Sequence, residues 1–151
     1  MSSSLTIVSL NTWKGEGEYS ARLEWMARGL QALAPDVVFL QEAFECPAVE
    51  ADTADRLAKA LDLHSEPLRA RQKKRLVQER YLPSWSNLAV LTKNPSRNAK
   101  VTKLAGHSQE KDRWALCVEV SLNDHPLRLI NAHFTHCHDE EGHKVRARQA
   151  E

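Results

Sequence analysis

Three residues of types that bind cations or phosphates stand in or directly after apolar runs of the sequence. Asn11 and Glu42 each follow such a run, and His133 lies within another. Ligand sites in α/β proteins tend to form at the carboxyl ends of the strands, where these residues would lie. Mg²⁺ prefers oxygen ligands and keeps several waters, so one carboxylate, one amide and a substrate phosphate can together hold it.

Each of these residues also has an ordinary structural explanation. A strand-terminal Asn is most often a turn residue, and a lone Glu at a strand end is most often a surface carboxylate or a helix cap. The three residues therefore indicate a site only when they are taken together and in their sequence context.

The apolar pattern predicts the elements that would position these residues. A strand over Leu5–Leu10, a helix that begins at Ser20 and is ended by Pro35, and a strand over Val37–Leu40 open the chain. The last of these is a continuous apolar run, which is typical of a strand covered on both faces. A strand-helix-strand order favours an α/β architecture in which the two strands pair in parallel.

Further along, the pattern predicts a second helix, four more strands and a final helix. The charged segment Arg69–Arg80 lacks apolar periodicity and is interpreted as a solvated loop or a hairpin. The turn Asn123–Pro126 is expected to join the last two strands. The predicted ranges are Ala48–Leu61 for the second helix, Asn87–Thr92, Ala99–Leu104, Trp114–Leu122 and Leu127–Phe134 for the strands, and a start between Asp139 and Glu141 for a final helix that runs to the end of the chain.

Length and composition indicate one globular domain. The 151 residues are 42% apolar and 27% charged, which is ordinary for a folded protein. The net charge of +1 excludes the strongly basic composition that by itself indicates nucleic-acid binding. We expect neither a secretory signal nor a transmembrane segment. The three cysteines lack a disulfide spacing, so we expect reduced thiols in a cytoplasmic protein.

Four ordered motifs resemble those of the endonuclease/exonuclease/phosphatase superfamily. They are Leu10–Trp13, Pro35–Glu42, Asn87–Pro95 and Leu129–Phe134, the last of which resembles the family's Asn-Thr-His-Leu strand. As in many members, an Arg-x-x-Gln pair follows, here Arg146 and Gln149. Because the motifs occur in the family's order along nearly the whole chain, the resemblance is more specific than any single motif would be.

The resemblance implies an α/β fold, namely the N-terminal part of a four-layer α/β sandwich of the DNase-I-like type, with a mixed sheet and flanking helices. It also implies a phosphoester hydrolase that depends on Mg²⁺, or on Mn²⁺ in its place. Glu42 would be the principal metal ligand, and Asn11 would support the metal and the substrate phosphate. His133 would donate to the scissile phosphate, either stabilising developing charge or assisting the leaving group. The substrate class stays open, with nucleic acids and phospholipids among the candidates.

Two motifs of the family have no counterpart in residues 1–151. The sequence contains no Asp-x-Asn, whose Asp is implicated in activating the nucleophile, and no Ser-Asp-His. The chain is therefore expected to be a single domain that lacks its C-terminal part, and to be inactive or only weakly active by itself. Such a half-sandwich would leave a sheet edge and an apolar face uncovered, which favours self-association.

A cluster of metal-binding residue types gives a different hypothesis. Imidazole and thiolate groups are zinc ligands, so a non-catalytic metal-binding or interaction module is the alternative function. No Cys-x-x-Cys pair accompanies the cluster, and an exposed histidine-rich loop is the simpler interpretation. The residues of this cluster are His133, His136, Cys137, His138 and His143.

A basic run and three tryptophans also allow two interpretations. Arg69–Arg75 could bind phosphates of nucleic acid or of an anionic membrane, but the glutamates that flank it favour a solvated charge run. Trp85 either stacks on a substrate base or packs at the rim of a site. Trp13 and Trp25 are expected to be structural.

Overall fold

The computed structural model describes residues 4–110, 112–122 and 125–151, and within them the larger of two sheets has five strands. Its path is β1-β2-β5-β4, and β3 pairs with β2 beside that path. Only β1 and β2 run in parallel, so the sheet is mixed. The strands are β1 (Ile7–Asn11), β2 (Val37–Cys46), β3 (Ala51–Asp52), β4 (His64–Val77) and β5 (Arg80–Thr92).

The parallel pairing of the first two strands was correctly predicted. Ile7 lies opposite Val37 in the register of β1 and β2, and helix α1 (Tyr19–Leu33) connects the two strands. The helix ends at Leu33 and is capped by Ala34, which adopts a left-handed conformation with φ of 45°. Pro35 then prevents its continuation, since proline cannot extend a helix.

Helix α2 (Thr53–Leu61) begins five residues later than the predicted start at Ala48. The intervening residues form a short 3₁₀ turn over Pro47–Val49 and then β3. The helix starts where Asp52 caps it, because the side chain of Asp52 accepts a hydrogen bond of 3.0 Å from the backbone N–H of Asp55.

The charged segment Arg69–Arg80 lies in a long hairpin formed by β4 and β5, so the hairpin interpretation is confirmed. The extent of β5 was predicted wrongly, since it begins at Arg80 and not at Asn87. Near its tip the hairpin exposes residues of both strands, and an exposed ribbon carries no apolar alternation for a sequence pattern to detect.

The smaller sheet has the order β6-β7-β8 and is antiparallel. Its strands are β6 (Arg97–Lys103), β7 (Trp114–Leu122) and β8 (His125–Ala132). The predicted bounds of β7 are confirmed, as is the hairpin of β7 and β8, although Asn123 and Asp124 of the predicted turn lie outside the described residues. Because β8 ends at Ala132, His133 follows this strand and does not lie in it, contrary to the prediction.

The two sheets pack face to face and form a common core. This core contains Val37, Leu88 and Val90 of the larger sheet and Leu116, Val118, Val120, Leu122 and Leu129 of the smaller sheet. Helices α1 and α2 cover the opposite face of the larger sheet, where they bury Leu23 and Leu57 against Leu40. Both sheets of the sandwich are therefore present in the described residues.

Helix α3 (Glu140–Gln149) holds the segment that connects β6 to β7. The ring of His107 is buried, and its Nε2 lies 3.1 Å from Oδ1 of Asp139. Ser108 donates hydrogen bonds to the carboxylate of Glu141 from its backbone N–H and its hydroxyl, at 2.8 and 2.7 Å. The helix ends at Gln149, two residues before the predicted end.

Two tryptophans that were expected to be structural lie on the surface. Trp25 of α1 is 69% exposed, and Trp13 is 56% exposed. Each ring packs against an arginine, since the guanidinium of Arg28 lies 5.5 Å from the centre of Trp25 and that of Arg22 lies 5.0 Å from the centre of Trp13. Both rings therefore pack on the surface and take no part in the core.

None of the described helices is long and apolar enough to cross a membrane.

Candidate functional site

Glu42 lies at an irregularity in β2 and not at the end of the strand. The register of β2 against β5 shifts between Leu40 and Ala43, and Glu42 has a φ of 53°. A positive φ is uncommon for a residue with a side chain and persists only where its surroundings impose it. Such bulges re-aim a side chain out of the regular alternation of a strand. Here the bulge presents the carboxylate of Glu42 to the loop that follows β1.

Lys14 in that loop contacts Glu42 twice. Its ammonium lies 3.2 Å from Oε1 of Glu42, and its backbone N–H donates a hydrogen bond of 3.1 Å to the carbonyl of Glu42. The side chains are only partly exposed, 31% for Lys14 and 18% for Glu42. The carboxylate of Glu42 therefore already faces a cation at this position.

Asn11 ends β1, as the sequence predicted, and its amide oxygen has a structural partner. Oδ1 of Asn11 accepts a hydrogen bond of 2.9 Å from the backbone N–H of Trp13, which forms the turn that leads to Lys14. Asn11 is not among the residues that line the cleft described below. Its place in a metal site stays a prediction.

His133 follows β8 and is held by Arg113. Nη1 of Arg113 lies 3.3 Å from Nδ1 of His133. Burial and the charge of Arg113 lower the pKa of His133 below its ordinary value of 6.5, although the carboxylate of Glu42 acts in the opposite direction. These effects favour the neutral form of His133, and Glu42 is close enough to influence its charge.

A carboxylate fixes Arg113 in turn. Nη2 of Arg113 lies 2.6 Å from Oε1 of Glu110, and the two side chains are only 10% and 8% exposed. The burial of Glu110 favours its neutral form. The hydrogen bonds from Arg113 and Thr135 and the nearby ring of His136 outweigh that effect and hold the pKa of Glu110 at about 2.

A cleft between the two sheets brings Glu42 and His133 together. Glu42 comes from the larger sheet, and His133 follows a strand of the smaller one, so the sheet packing itself assembles the pair. The cleft contains both carboxylates and cations, as a site for a metal ion and a phosphate requires. It is lined by Lys14, Glu42, Ala70, Arg71, Ser86, Asn87, Leu88, Asp112, Arg113, Trp114 and His133.

Three charged residues of this cleft were not predicted, and a fourth, Arg71, was named only as part of a basic run that could bind phosphates. Lys14, Asp112 and Arg113 stand in loops, where no periodicity draws attention to them. Arg71 lies in the charged run that was interpreted as solvated. The single usable signal was that Asp112 and Arg113 directly precede a predicted strand.

Arg71 differs from the other charged residues of the cleft because no described carboxylate pairs with it. Its Nε is buried and has no hydrogen-bond partner. Asp112, by contrast, forms an ion pair of 2.9 Å with Lys103. The cleft thus holds one guanidinium that forms no ion pair with the described residues.

The base of the β4–β5 hairpin is fixed by a second charged group. Arg69 donates to both carboxylate oxygens of Glu45 and lies 4.8 Å above the ring of Trp85, so Trp85 packs against Arg69. Asn87 donates a hydrogen bond of 2.7 Å to the same carboxylate. Partial burial favours a neutral Glu45, but the hydrogen bonds from Arg69 and Asn87 outweigh it and keep the pKa of Glu45 below 4.5.

The histidine cluster that suggested zinc is not gathered into one site. Among the residues that the structure describes, no group of three or more His, Cys, Asp and Glu side chains is arranged to hold a metal ion. His133 and His136 face Arg113, whereas His143 lies 3.0 Å from Nη2 of Arg146. The alternative function of a zinc-binding module therefore finds no support in the described residues.

Comparisons with known proteins identify the fold. Neither protein-family models nor curated protein sequences match the chain. Among solved structures, it is similar to an endonuclease/exonuclease/phosphatase from Beutenbergia cavernae, with a TM-score of 0.72 and 19% identity over 96% of this chain and 41% of that chain. It is also similar to an endonuclease/exonuclease/phosphatase family protein from Leptotrichia buccalis, with a TM-score of 0.68 and 12% identity over 95% of this chain and 62% of that chain.

A third similar structure is D. rerio TDP2 complexed with single strand DNA product. The TM-score is 0.58 and the identity 22%, over 90% of this chain and 48% of that chain. These likenesses show that the chain has the DNase-I-like α/β fold, and the resemblance seen in the motifs is confirmed at the level of fold. The chain spans between 41% and 62% of the length of these three structures.

Proposed function

We propose that this chain forms one side of the active site of a Mg²⁺-dependent phosphoester hydrolase. The observation that carries the proposal is the cleft in which Glu42 and His133 meet from the two sheets, beside the cations Arg71 and Arg113. A carboxylate for a cation, a histidine for a phosphate oxygen and guanidinium groups for the remaining negative charge are what phosphoryl transfer requires.

The residues of the cleft fit a Mg²⁺ ion that the protein binds through few ligands. The Lys14 ammonium lies 3.2 Å from Oε1 of Glu42, and Mg²⁺ would take over this cationic position beside the carboxylate. Mg²⁺ is commonly bound through one or two carboxylates, with waters and substrate phosphate in the other positions. Glu42 would be the principal ligand. Asn11 would contribute its amide oxygen, which has a second lone pair besides the one that accepts from Trp13.

The reaction would be in-line attack of water on phosphorus with cleavage of the bond to the leaving oxygen. When bound, Mg²⁺ supplies positive charge to the phosphate oxygens. His133 would hydrogen-bond to a phosphate oxygen, and Arg71 would bind a second one. Arg113 already binds Glu110 and contacts His133, so it would act on the substrate mainly through His133.

We propose a nucleic acid as the substrate. D. rerio TDP2, which shares the fold, forms a complex with a single strand DNA product. A polyanion would also compensate the unpaired charge of Arg71 in the cleft. Phospholipids are the other candidate class, and they form a separate arm of the assay below.

Metal binding tests the proposal without requiring turnover. Mn²⁺ binding to the purified chain, followed by electron paramagnetic resonance, should weaken about tenfold or more in Glu42→Gln. The matched control is Glu24→Gln, because Glu24 is an exposed carboxylate of α1 with an arginine partner at 3.8 Å. Glu42 would be refuted as the metal ligand if both variants lost Mn²⁺ binding equally, or if neither variant lost it.

We expect the 151-residue chain to hydrolyse phosphoesters weakly or not at all by itself. Of the two carboxylates that line the described cleft, Glu42 is assigned to the metal, and Asp112 is paired with Lys103. No carboxylate of the cleft is therefore left to activate water. The test is a Mg²⁺-dependent assay on single-stranded DNA, RNA, phosphoinositide and sphingomyelin. Rapid turnover that is lost in Glu42→Ala would contradict this expectation.

The proposal includes self-association through the smaller sheet. β8 is an edge strand of this sheet, and it exposes Ile130 at 59%. Val101 of β6 is also exposed, at 50%. Light scattering should show a concentration-dependent dimer that Ile130→Lys abolishes, and a monomer at all concentrations would rule the dimer out.

We also place the protein in the cytoplasm. The three cysteines Cys46, Cys117 and Cys137 are all free thiols, which suits a reducing compartment. Fractionation of cells that produce the chain would test this.

A further inference from the structure

We infer that Arg113 is a positioning residue that holds His133 in the tautomer with its proton on Nε2, so that His133 donates a hydrogen bond into the cleft. The inference rests on the proposed function and deepens it, because it assigns the direction of one hydrogen bond to the substrate. Both roles that the sequence left open for His133 use a donated hydrogen bond, and the inference says which ring nitrogen donates it.

The direction follows from the chemistry of the two groups in contact. A guanidinium has only donors, and Nη1 of Arg113 lies 3.3 Å from Nδ1 of His133. Nδ1 must therefore accept, and it can do so only with its lone pair. In a neutral imidazole the single proton is then on Nε2.

The position of Arg113 is itself determined by buried groups. Glu110 binds Nη2 of Arg113 at 2.6 Å, and Nδ1 of His136 lies 3.1 Å from the same nitrogen. His136 also lies 2.8 Å from Oε1 of Glu110. An arginine that is 10% exposed and bound to a carboxylate that is 8% exposed has little freedom to turn away from His133.

Arg113 also disfavours the alternative in which His133 takes up a proton. A protonated ring would turn an N–H on Nδ1 towards the guanidinium, and two donors would face each other. His133 would then act in the proposed reaction as a neutral donor that stabilises charge on a phosphate oxygen. It would not act as a general base, because its one lone pair is already bound to Arg113.

Nuclear magnetic resonance of the metal-free chain tests the assignment directly. Long-range ¹H–¹⁵N correlations at pH 8 distinguish the two neutral tautomers, and His133→Gln identifies the signals of His133. We expect the form protonated on Nε2, with no detectable population protonated on Nδ1. A His133 that is protonated mainly on Nδ1 would overturn the inference.

Removal of the Arg113 guanidinium should weaken the preference of His133 for the tautomer protonated on Nε2. Arg113→Met removes the guanidinium partner of the buried Glu110, so the double variant Glu110→Gln, Arg113→Met is prepared with it to preserve folding. The form of His133 protonated on Nδ1 should become detectable in both variants. The control is Arg128→Met, because Arg128 forms an exposed ion pair of 3.2 Å with Glu119 on the same sheet. An unchanged tautomer ratio in the double variant would refute Arg113 as the determinant.

The two experiments test this inference and the proposed function independently. The tautomer of His133 is measured without metal or substrate, whereas the proposed function is tested by Mn²⁺ binding at Glu42. The expected tautomer together with absent Mn²⁺ binding would support the role of Arg113 and refute the metal site. The opposite pair of results would refute the positioning role and leave the metal site supported.

Discussion

Gln41 donates a hydrogen bond of 2.9 Å from Nε2 to Oδ1 of Asn131, across the interface of the two sheets and 90 positions away in the sequence. The amide nitrogen of Asn131 in turn donates to the carbonyls of Leu40 and Ala89, each at 2.8 Å. The bulge after Leu40 interrupts the register of β2 with β5. Asn131 therefore satisfies backbone groups at the point where Glu42 leaves the regular strand.

Asn131→Leu should destabilise the chain by about 3 kcal/mol, because it leaves buried carbonyls without donors while nearly conserving volume. Asn94→Leu is the control, since Asn94 is exposed and donates one hydrogen bond to the carbonyl of Ser121. Asn94→Leu should lower the free energy of unfolding by less than about 1 kcal/mol. Urea unfolding measures the change in the free energy of unfolding for both variants. Equal changes would show that the hydrogen bonds of Asn131 contribute no more than the exposed bond of Asn94.

Glu110 should make stability depend on pH in the acid range. Its pKa is lowered from 4.5 to about 2 in the folded protein, so its stabilisation is complete above pH 4.5 and is lost as the pH falls towards 2. The free energy of unfolding of Glu110→Gln should lie on the order of 3 kcal/mol below that of the wild type at pH 7.

That difference should shrink steadily between pH 4.5 and pH 2. Denaturant unfolding of both proteins across this range measures it. The control is Glu140→Gln, because Glu140 is 84% exposed and its ion pair with Lys144 is a surface contact. A pH-independent difference for Glu110→Gln would contradict the assignment of Glu110 as the buried partner of Arg113.

Two glycine-to-alanine changes should have opposite effects although both positions are helical. A Cβ at Gly142 would lie 2.2 Å from the backbone carbonyl oxygen of Cys137, so Gly142→Ala should displace α3 and destabilise the chain by about 2 kcal/mol or more. A Cβ at Gly29 of α1 meets no atom within 4 Å, so Gly29→Ala should stabilise by about 1 kcal/mol. Thermal unfolding of the two variants distinguishes them, and a stabilising Gly142→Ala would show that α3 is not seated as described.

Local patterns in the sequence predicted the elements whose side chains alternate between core and solvent. β7 was predicted with its bounds because its residues from Leu116 to Leu122 bury alternate positions, and α1 was predicted because Leu23 and Leu30 recur on one face. The bulge at Glu42 could not be predicted, since it depends on the register of β2 against a strand that lies some 45 residues later.

The sequence predicted individual residues of the candidate site, but it did not predict their contacts. Glu42 and His133 were predicted from their places in or after apolar runs and from the motifs that contain them, and the packing of the sheets brings them into one cleft. The network of Glu110 and Arg113 could not be found in this way. Its members lie in a loop, and their partner His133 is 20 residues away, at a distance that only the pairing of β7 with β8 closes.

Arg71 should bind one phosphate of a nucleic acid. It lines the cleft with Glu42, its Nε is buried without a partner, and no described carboxylate neutralises it. Arg71→Gln should weaken binding of a short single-stranded DNA by about tenfold. The slope of the logarithm of the binding constant against the logarithm of the salt concentration should fall by the amount that corresponds to about one phosphate contact. The control is Arg28→Gln on α1, because Arg28 is exposed and lies against Trp25, away from the cleft. Fluorescence anisotropy at several salt concentrations measures both quantities. Equal losses for the two variants would mean that the DNA responds only to net charge, and the cleft would then not be its binding site.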